Sequence, residues 1–418
     1  MAAKKQQSRS RSAAANANAK PRPRRLSGRV LKKDDREETP AQILRGAIVR
    51  FFARFDLMQI IPLALLLTIG MCFIYSTGQQ VGGHHVELFD RQCVYLAVGA
   101  VLWFTFILID YRWIGLSSVL FYPAVVIILI LVLKFGPVRN NTHRWIDIGP
   151  VSLQPSELGK MAVLFAVAWL ASLKRVNVNK IQWIGLILLL TAIPFALIFL
   201  EPDLGAAIVL LPLAAAILFV ANLRWRYIAM IAVVCAVLAP ITYMRLKPYQ
   251  KSRIVAFINP EQDRLNRGWN VIQSEIAIGT GGMTGKGYRN GTHTMLGYLP
   301  SKVADSDFIF PVIAEETGFV GTFSIILLYG LLLFSILRTA LLSSDLFGRY
   351  LCVGIAAILL THVFINIGMC IRLVPVTGLP LPFISYGGTF LVAMMCYLGI
   401  AQSVYAHRND TSRLDLND

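Results

Sequence analysis

Apolar stretches close to 20 residues long recur about ten times along this chain, and each is long enough to cross a hydrocarbon core of ~30 Å as a helix. They run near residues 57–76, 93–109, 116–133, 153–173, 183–200, 204–222, 227–244, 308–337, 350–371 and 384–406. Backbone in lipid must satisfy its own N–H and C=O groups, so such a pattern predicts an all-α integral membrane protein of about ten spans. Composition excludes a soluble surface: 56% of the 418 residues are hydrophobic, 15% are charged, and the mean hydropathy is +0.60.

Lys and Arg flanking a span stay cytoplasmic, so they set the orientation. The first 54 residues hold 15 Lys or Arg against 4 acids, giving +11 of the net +17. With that end inside, the short even-numbered loops carry Arg112, Lys174, Arg175, Lys180, Arg224, Arg226, Arg338 and Arg349, while the odd ones carry Arg91, Arg139, Arg144 and Arg372. Both termini are therefore expected in the cytoplasm. Residues 1–40 read as a disordered basic tail drawn to anionic membrane lipids rather than to nucleic acid. Residues 41–56 space Arg45, Arg50 and Arg54 among Ile, Val and Phe, as an interfacial helix would. No signal-peptide pattern precedes span one, so it is expected to be retained. Residues 57–406 form the membrane domain and 407–418 a short cytoplasmic tail.

The six cysteines lie in or beside apolar spans and read as small core residues. Neither they nor His84, His85, His143 and His293 show metal-ligand spacing.

Residues 245–307 make the longest loop, 63 residues on the extracytoplasmic side. Its basic residues and its aromatic Tyr249, Phe257, Trp269, Tyr288 and Tyr298 suit an anionic, sugar-bearing or lipid-pyrophosphate ligand. The stretch GTGGMTGKGYRNGT fails as a nucleotide loop, because Gly287 rather than Ser or Thr follows Lys286 and no strand precedes it. Tight turns with exposed backbone N–H groups are expected there instead.

Three further motifs fall on the same face. RWIDIGPVSLQPSELGKMAV brings Arg144, Asp147, Glu157 and Lys160 to the start of span four, with Pro155 and Ser156 opening the helix. Glu157 and Lys160 are three apart and share a helix face; a structural ion pair and a cavity wall both remain open. EPDLG joins spans five and six as a turn with Asp203 as a helix cap. VPVTGLPLPFISYGG, with its prolines and glycines, must be irregular at membrane depth, which requires cover by protein or a cavity. Finally, LPSKVADSDFIFPVIAEETGFVG sets Asp305, Asp307, Glu315 and Glu316 against an apolar helix.

RWIDIG…QPSELGK, PDLG, QSEIAIGTGG…GKGYRNGT, SDFIFPVIAEETGFVG and LPLPFISYGG, in this order, closely resemble the motifs of the SEDS family (shape, elongation, division and sporulation) over about 350 residues. GKGY followed by NGT is more similar to the elongation member RodA than to the division member FtsW. The resemblance implies a peptidoglycan glycosyltransferase that polymerises lipid II, an undecaprenyl-pyrophosphate-linked disaccharide pentapeptide, with a class B penicillin-binding protein as partner. It places the essential acid at Asp307 and the motif's Glu and Lys at Glu157 and Lys160. The chain departs from the pattern where Glu201 and His293 stand in place of Gln, and in extra residues between Pro300 and the acid, which leave Asp305 as a rival to Asp307.

A pyrophosphate leaves without an acid once its charge is neutralised, so one carboxylate base for the acceptor hydroxyl suffices. Asp307 is expected to be that base. Arg144, Lys160, Arg245 and Lys286 are the expected pyrophosphate partners, with Glu157, Gln273, Ser274 and Ser385 as further substrate contacts, and a Mg2+ or Mn2+ ion could share the task. Asp305 is expected to cap the following helix. Asp203, Glu315, Glu316 and Thr377 form a structural polar network, with Arg372 or backbone N–H groups near Thr377 and Gly378 satisfying the glutamates. The competing readings are a lipid-precursor flippase, the division-type paralogue, and a non-enzymatic scaffold. Charged motifs on one face rather than at the midplane, and the absence of an internal repeat, weigh against transport.

Overall fold

Helices dominate the computed structural model, which describes residues 54–77, 86–139, 142–148, 151–245, 248–263, 267–299 and 304–409. The expected basic tail, nearly all of the interfacial helix, and His84 and His85 lie outside the described residues.

Ten long apolar helices follow the ten sequence stretches. They are α1 Leu57–Thr77, α2 Val86–Leu108, α3 Arg112–Phe135, α4 Pro155–Ser172, α5 Ile181–Leu200, α6 Leu204–Val220, α7 Trp225–Arg245, α11 Ile309–Leu342, α12 Leu346–Cys370 and α13 Gly388–Ala406. Among the described residues seven meet the length and hydropathy of a membrane span; α6 and Trp225–Val234 of α7 are apolar but shorter, and α4, which carries Glu157 and Lys160, falls outside both groups. The protein is a multi-pass, all-α membrane protein. Between α7 and α11 the long loop has its own structure: α8 Pro248–Ile258, a 3-10 turn at Pro260–Asp263, α9 Arg267–Gly281 and the single turn α10 Thr292–Met295.

Helix starts follow local chemistry. Pro155 occupies the first turn of α4, where its missing N–H costs nothing. Asp203 caps α6 by accepting from Ala206 N at 3.2 Å, and Asp345 caps α12 by accepting from Gly348 N at 3.3 Å. Helices α4, α12 and α13 are buried along most of their length, whereas α2 and α3 expose Val94, Val101, Leu116 and Leu120. That contrast gives a protein-packed centre and a lipid-facing rim. A Cβ on Gly399 of α13 would lie 2.8 Å from the Trp103 carbonyl, so only glycine lets α13 close on α2 here.

Three features depart from the expectation. Two short antiparallel ladders precede α4: β1 Val138–Arg139 with β2 Thr142–His143, and β3 Ile146–Ile148 with β4 Val151–Leu153. The last helix starts at Gly388 rather than near Ile384, because the prolines and the left-handed Phe383 (φ 66°) keep residues 379–387 irregular. Third, α11 is broken. Gly318 has φ 67° and ψ −161°, and the Gly-rich loop fills the gap. Phe319 and Val320 donate to the carbonyls of Gly282 and Met283 (2.9 and 3.1 Å), while Lys286 and Gly287 donate to those of Glu315 and Glu316 (both 3.0 Å). The loop N–H groups expected to be exposed are thus spent on a membrane helix, supplying bonds its break would otherwise lose.

Candidate active site

Asp307 sits in the turn just before α11, part-buried, at a place where four segments converge. From α8, Arg253 reaches in and donates to the Thr377 carbonyl at 2.6 Å. Gly378, left-handed at φ 76°, lies beneath both groups: a Cβ there would be 3.3 Å from Asp307 Oδ2 and 4.0 Å from Arg253 Nη2. Any side chain at 378 would crowd the pair and strain the backbone. Asp203, at the start of α6, contributes its field from the fourth side. Burial pushes the Asp307 carboxyl up to about 6; Arg253 pulls it down, and Asp305 and Asp203 push it further up.

Arg253 also lines a groove of about 680 Å³ whose walls are almost wholly apolar. Leu204, Ile208 and Pro212 of α6, Ile254 of α8, and Leu360 and Phe364 of α12 form it, together with Val374 and Val376. The arrangement is a hydrocarbon-compatible channel with the Arg253 guanidinium in its wall, and Arg253 connects it to the Asp307 turn.

The other acidic turn is built differently. Arg144 spends its guanidinium on backbone, donating to Glu201 O at 2.6 Å and to Pro202 O. Asp203 accepts from Gln154 Nε2 at 2.9 Å and Ser156 Oγ at 3.5 Å besides capping α6. Glu201 is 1% exposed, and among the described residues neither carboxylate oxygen has a hydrogen-bond partner. Burial, with Asp203 adding to it, pushes Glu201 up to about 8 against the opposing pull of Arg144.

Lys160 has no solvent exposure. Its Nζ is 2.8 Å from Glu157 Oε2 and 3.1 Å from His362 Nε2, and it lies 5.6 Å above the Phe390 ring. The ion pair is therefore present, sealed between α4, α12 and α13.

The remaining expected contacts fall elsewhere. Lys286 bonds Glu315 at 2.6 Å and Thr292 Oγ1 at 2.6 Å, away from Asp307. Glu315 also accepts from His293 N at 2.9 Å and from Thr292 Oγ1 at 3.0 Å. Glu316 accepts from Arg289 N at 2.8 Å and Ser76 Oγ at 2.9 Å. Arg372 is not their partner: it donates to the Phe257 and Ile258 carbonyls and faces Glu275 at 3.9 Å, because the break in α11 brings the Gly-rich loop to the glutamates first. Gln273 meets His293 at 3.3 Å, and Ser274 donates to Cys370 O at 2.8 Å. Ser385 Oγ donates to Ser306 O at 2.5 Å and accepts from Leu381 N at 2.8 Å, so its hydroxyl serves backbone. Phe308, not Asp305, holds the N-cap position of α11, and no side chain caps it. The Arg245 side chain, like that of Asp147, lies outside the described part of the structure.

Arg253 and Asn366 were not singled out from sequence. Arg253 is one of many loop cations; only the fold of α8 against residues 374–377 brings it to Asp307. A usable signal was its place in an amphipathic stretch, KSRIVAFI, which puts Arg253 and Ile254 on the flank of a short helix. Among the described residues, no three His, Cys, Asp or Glu side chains are grouped to hold a metal ion.

Comparison with known proteins agrees with this architecture. The profile of the FtsW/RodA/SpoVE family of cell cycle proteins matches residues 56–410. The peptidoglycan glycosyltransferase MrdB of Escherichia coli (strain K12) is 36% identical over 357 residues, 85% of this chain and 94% of the relative. Stage V sporulation protein E of Bacillus subtilis (strain 168) is 33% identical over 359 residues, 84% of this chain and 96% of the relative. The crystal structure of the Thermus thermophilus rod shape determining protein RodA superposes with a TM-score of 0.63 at 29% identity, covering 85% of this chain and 98% of that one. A chain from a structure described as the structural coordination of polymerization and crosslinking by a peptidoglycan synthase complex gives a TM-score of 0.72 at 33% identity, with the same coverage. The chain belongs to the FtsW/RodA/SpoVE family.

Proposed function

We propose that this protein is an elongation-type peptidoglycan glycosyltransferase that polymerises lipid II and releases undecaprenyl pyrophosphate. The observation that carries the reading is the guanidinium of Arg253, which lines an apolar groove of about 680 Å³ and meets the Asp307 carboxylate over Gly378. A polyprenyl pyrophosphate has matching parts: a hydrocarbon tail for the groove and an anionic head for Arg253.

Asp307 removes the proton from the acceptor sugar hydroxyl as its oxygen bonds to the donor's anomeric carbon. The bond from that carbon to the pyrophosphate breaks, its electron pair leaves with the pyrophosphate, and the anomeric configuration inverts. A base with a pKa near 6 is ionised at neutral pH and still basic enough to take a proton in the transition state. Arg253 opposes the charge that grows on the leaving group, a term worth roughly 10²–10³ in rate for a single donor. A Mg2+ or Mn2+ ion arriving with substrate would take most of its oxygen ligands from the pyrophosphate and water.

The protein sits in the bacterial cytoplasmic membrane with both termini inside, as the Lys and Arg distribution supports. Its partner is a class B penicillin-binding protein that cross-links the new glycan, in keeping with the synthase complex to which one structural relative belongs.

The test is polymerisation of labelled lipid II by the purified chain in detergent, with and without such a partner, for wild type and Asp307→Asn. Polymer from wild type and none from the folded variant is the expected result. Lipid II movement across vesicles without polymer from either would replace the reading with transport.

A further inference from the structure

The turn that carries Asp307 is gripped at three consecutive carbonyls, each from outside the turn. Tyr386 N donates to Asp305 O at 2.8 Å, Ser385 Oγ to Ser306 O at 2.5 Å, and Asn366 Nδ2 to Asp307 O at 2.9 Å. Carbonyls in an irregular turn have no ladder to join, so these donors supply the bonds the buried backbone needs.

Asn366 does more than the other two. The same Nδ2 donates to Leu379 O at 2.8 Å, using both of its hydrogens. Leu379 follows Gly378, over which Asp307 and Arg253 meet, and Arg253 is itself held by Thr377 O. One buried amide nitrogen therefore ties the segment that presents the carboxylate to the segment that holds the guanidinium. Asn366 is fully buried in α12 and does not line the apolar groove. His362, one turn earlier on the same helix face, receives Lys160, so α12 joins the sealed ion pair to the Asp307 turn.

We infer that Asn366 is a positioning residue for glycosyl transfer, fixing the Asp307 backbone against residues 377–379 and with it the distance from carboxylate to guanidinium. This rests on Asp307 acting as the base. A misplacement of about 1 Å at a reacting group costs on the order of 10²-fold in rate.

The test uses the full chain and labelled lipid II, with Asn366→Ala and the isosteric Asn366→Asp, each normalised to folded protein. The expected result is a fall in kcat of about 10²-fold with KM within about 3-fold of wild type. The acid limb of kcat/KM also moves upward in Asn366→Ala, because a carboxylate released from Arg253 loses the cation that lowers its pKa. Ser385→Ala, which frees only the Ser306 carbonyl, is expected to lower kcat about 10-fold with the same split. An unchanged rate and pH limb per folded molecule would reduce Asn366 to core packing, and a raised KM at constant kcat would make it a substrate contact; either overturns the inference. If Asn366→Ala does not fold, Asn366→Asp and Ser385→Ala carry the same two readouts. A wild type that forms no polymer overturns the activity itself, and this inference with it.

Discussion

Asp307 and Glu316 lie nine residues apart in one continuous stretch, yet their surroundings have opposite logic. Around Glu315 and Glu316 five donors gather: Lys286, Thr292, the His293 and Arg289 amides, and Ser76 all converge on two carboxylates. Around Asp307 the carbonyls are gripped while, among the described residues, the carboxylate feels the cation Arg253 and two other acids, Asp305 and Asp203. Several donors on the glutamates fix a loop in a broken helix; a buried carboxylate beside other acids retains the affinity for a proton that a base needs. Placement at the edge of an apolar helix thus does not define a role, whereas the number and kind of partners does.

The largest expected effect separates the two clusters. Asp307→Asn is nearly isosteric and should lower lipid II polymerisation by about 10²–10⁴-fold with little change in thermal midpoint, which paired rate and unfolding measurements would show. Arg253→Gln comes next, at roughly 10²-fold in kcat, and should also shift the acid limb of kcat/KM upward. In wild type that limb should rise through about pH 6 and then level, since the base works only when ionised. A flat profile between pH 5 and 7 would break the assignment.

Glu315→Gln belongs to the other side of the comparison. It leaves Lys286 facing a neutral amide and should destabilise the fold by about 2–3 kcal/mol, with a near-normal rate per folded molecule. Thermal unfolding in detergent checks the first part and normalised polymerisation the second.

Glu201→Gln should have the opposite sign. The Glu201 carboxyl is raised to about 8 when folded, so the unfolded chain loses its proton first, near pH 4. Stability is therefore drained as pH rises from about 4 to 8 and then stays level. Replacement by Gln should stabilise by ~1–2 kcal/mol at pH 8 and by almost nothing at pH 4, a difference that unfolding at the two pH values would reveal.

The ten helices were legible because a bilayer demands runs of about 20 apolar residues, and those runs stand in the sequence without competition. Turn chemistry was legible too: Pro155 and Asp203 sit where their backbone roles require. What escaped notice depends on contacts distant in sequence. Lys286 reads as a pyrophosphate partner until the break at Gly318 brings it to Glu315, 29 residues on. Arg253 meets the Thr377 carbonyl across 124 residues, and its place in the amphipathic KSRIVAFI is a weak local mark beside that distant contact. The β3–β4 ladder does have a local signal, since Ile146, Ile148, Val151 and Leu153 alternate on either side of the dipeptide Gly149-Pro150 in the sequence.

The central claim is that one acidic cluster does chemistry and the other holds the loop. The measurement that tests it most directly is the polymerisation rate per folded molecule for Asp307→Asn and Glu316→Gln side by side, with thermal midpoints for both. The account predicts a rate lost with the midpoint kept for the first, and a midpoint lowered with the rate kept for the second. Equal loss of rate in both, or activity surviving in Asp307→Asn, would contradict it.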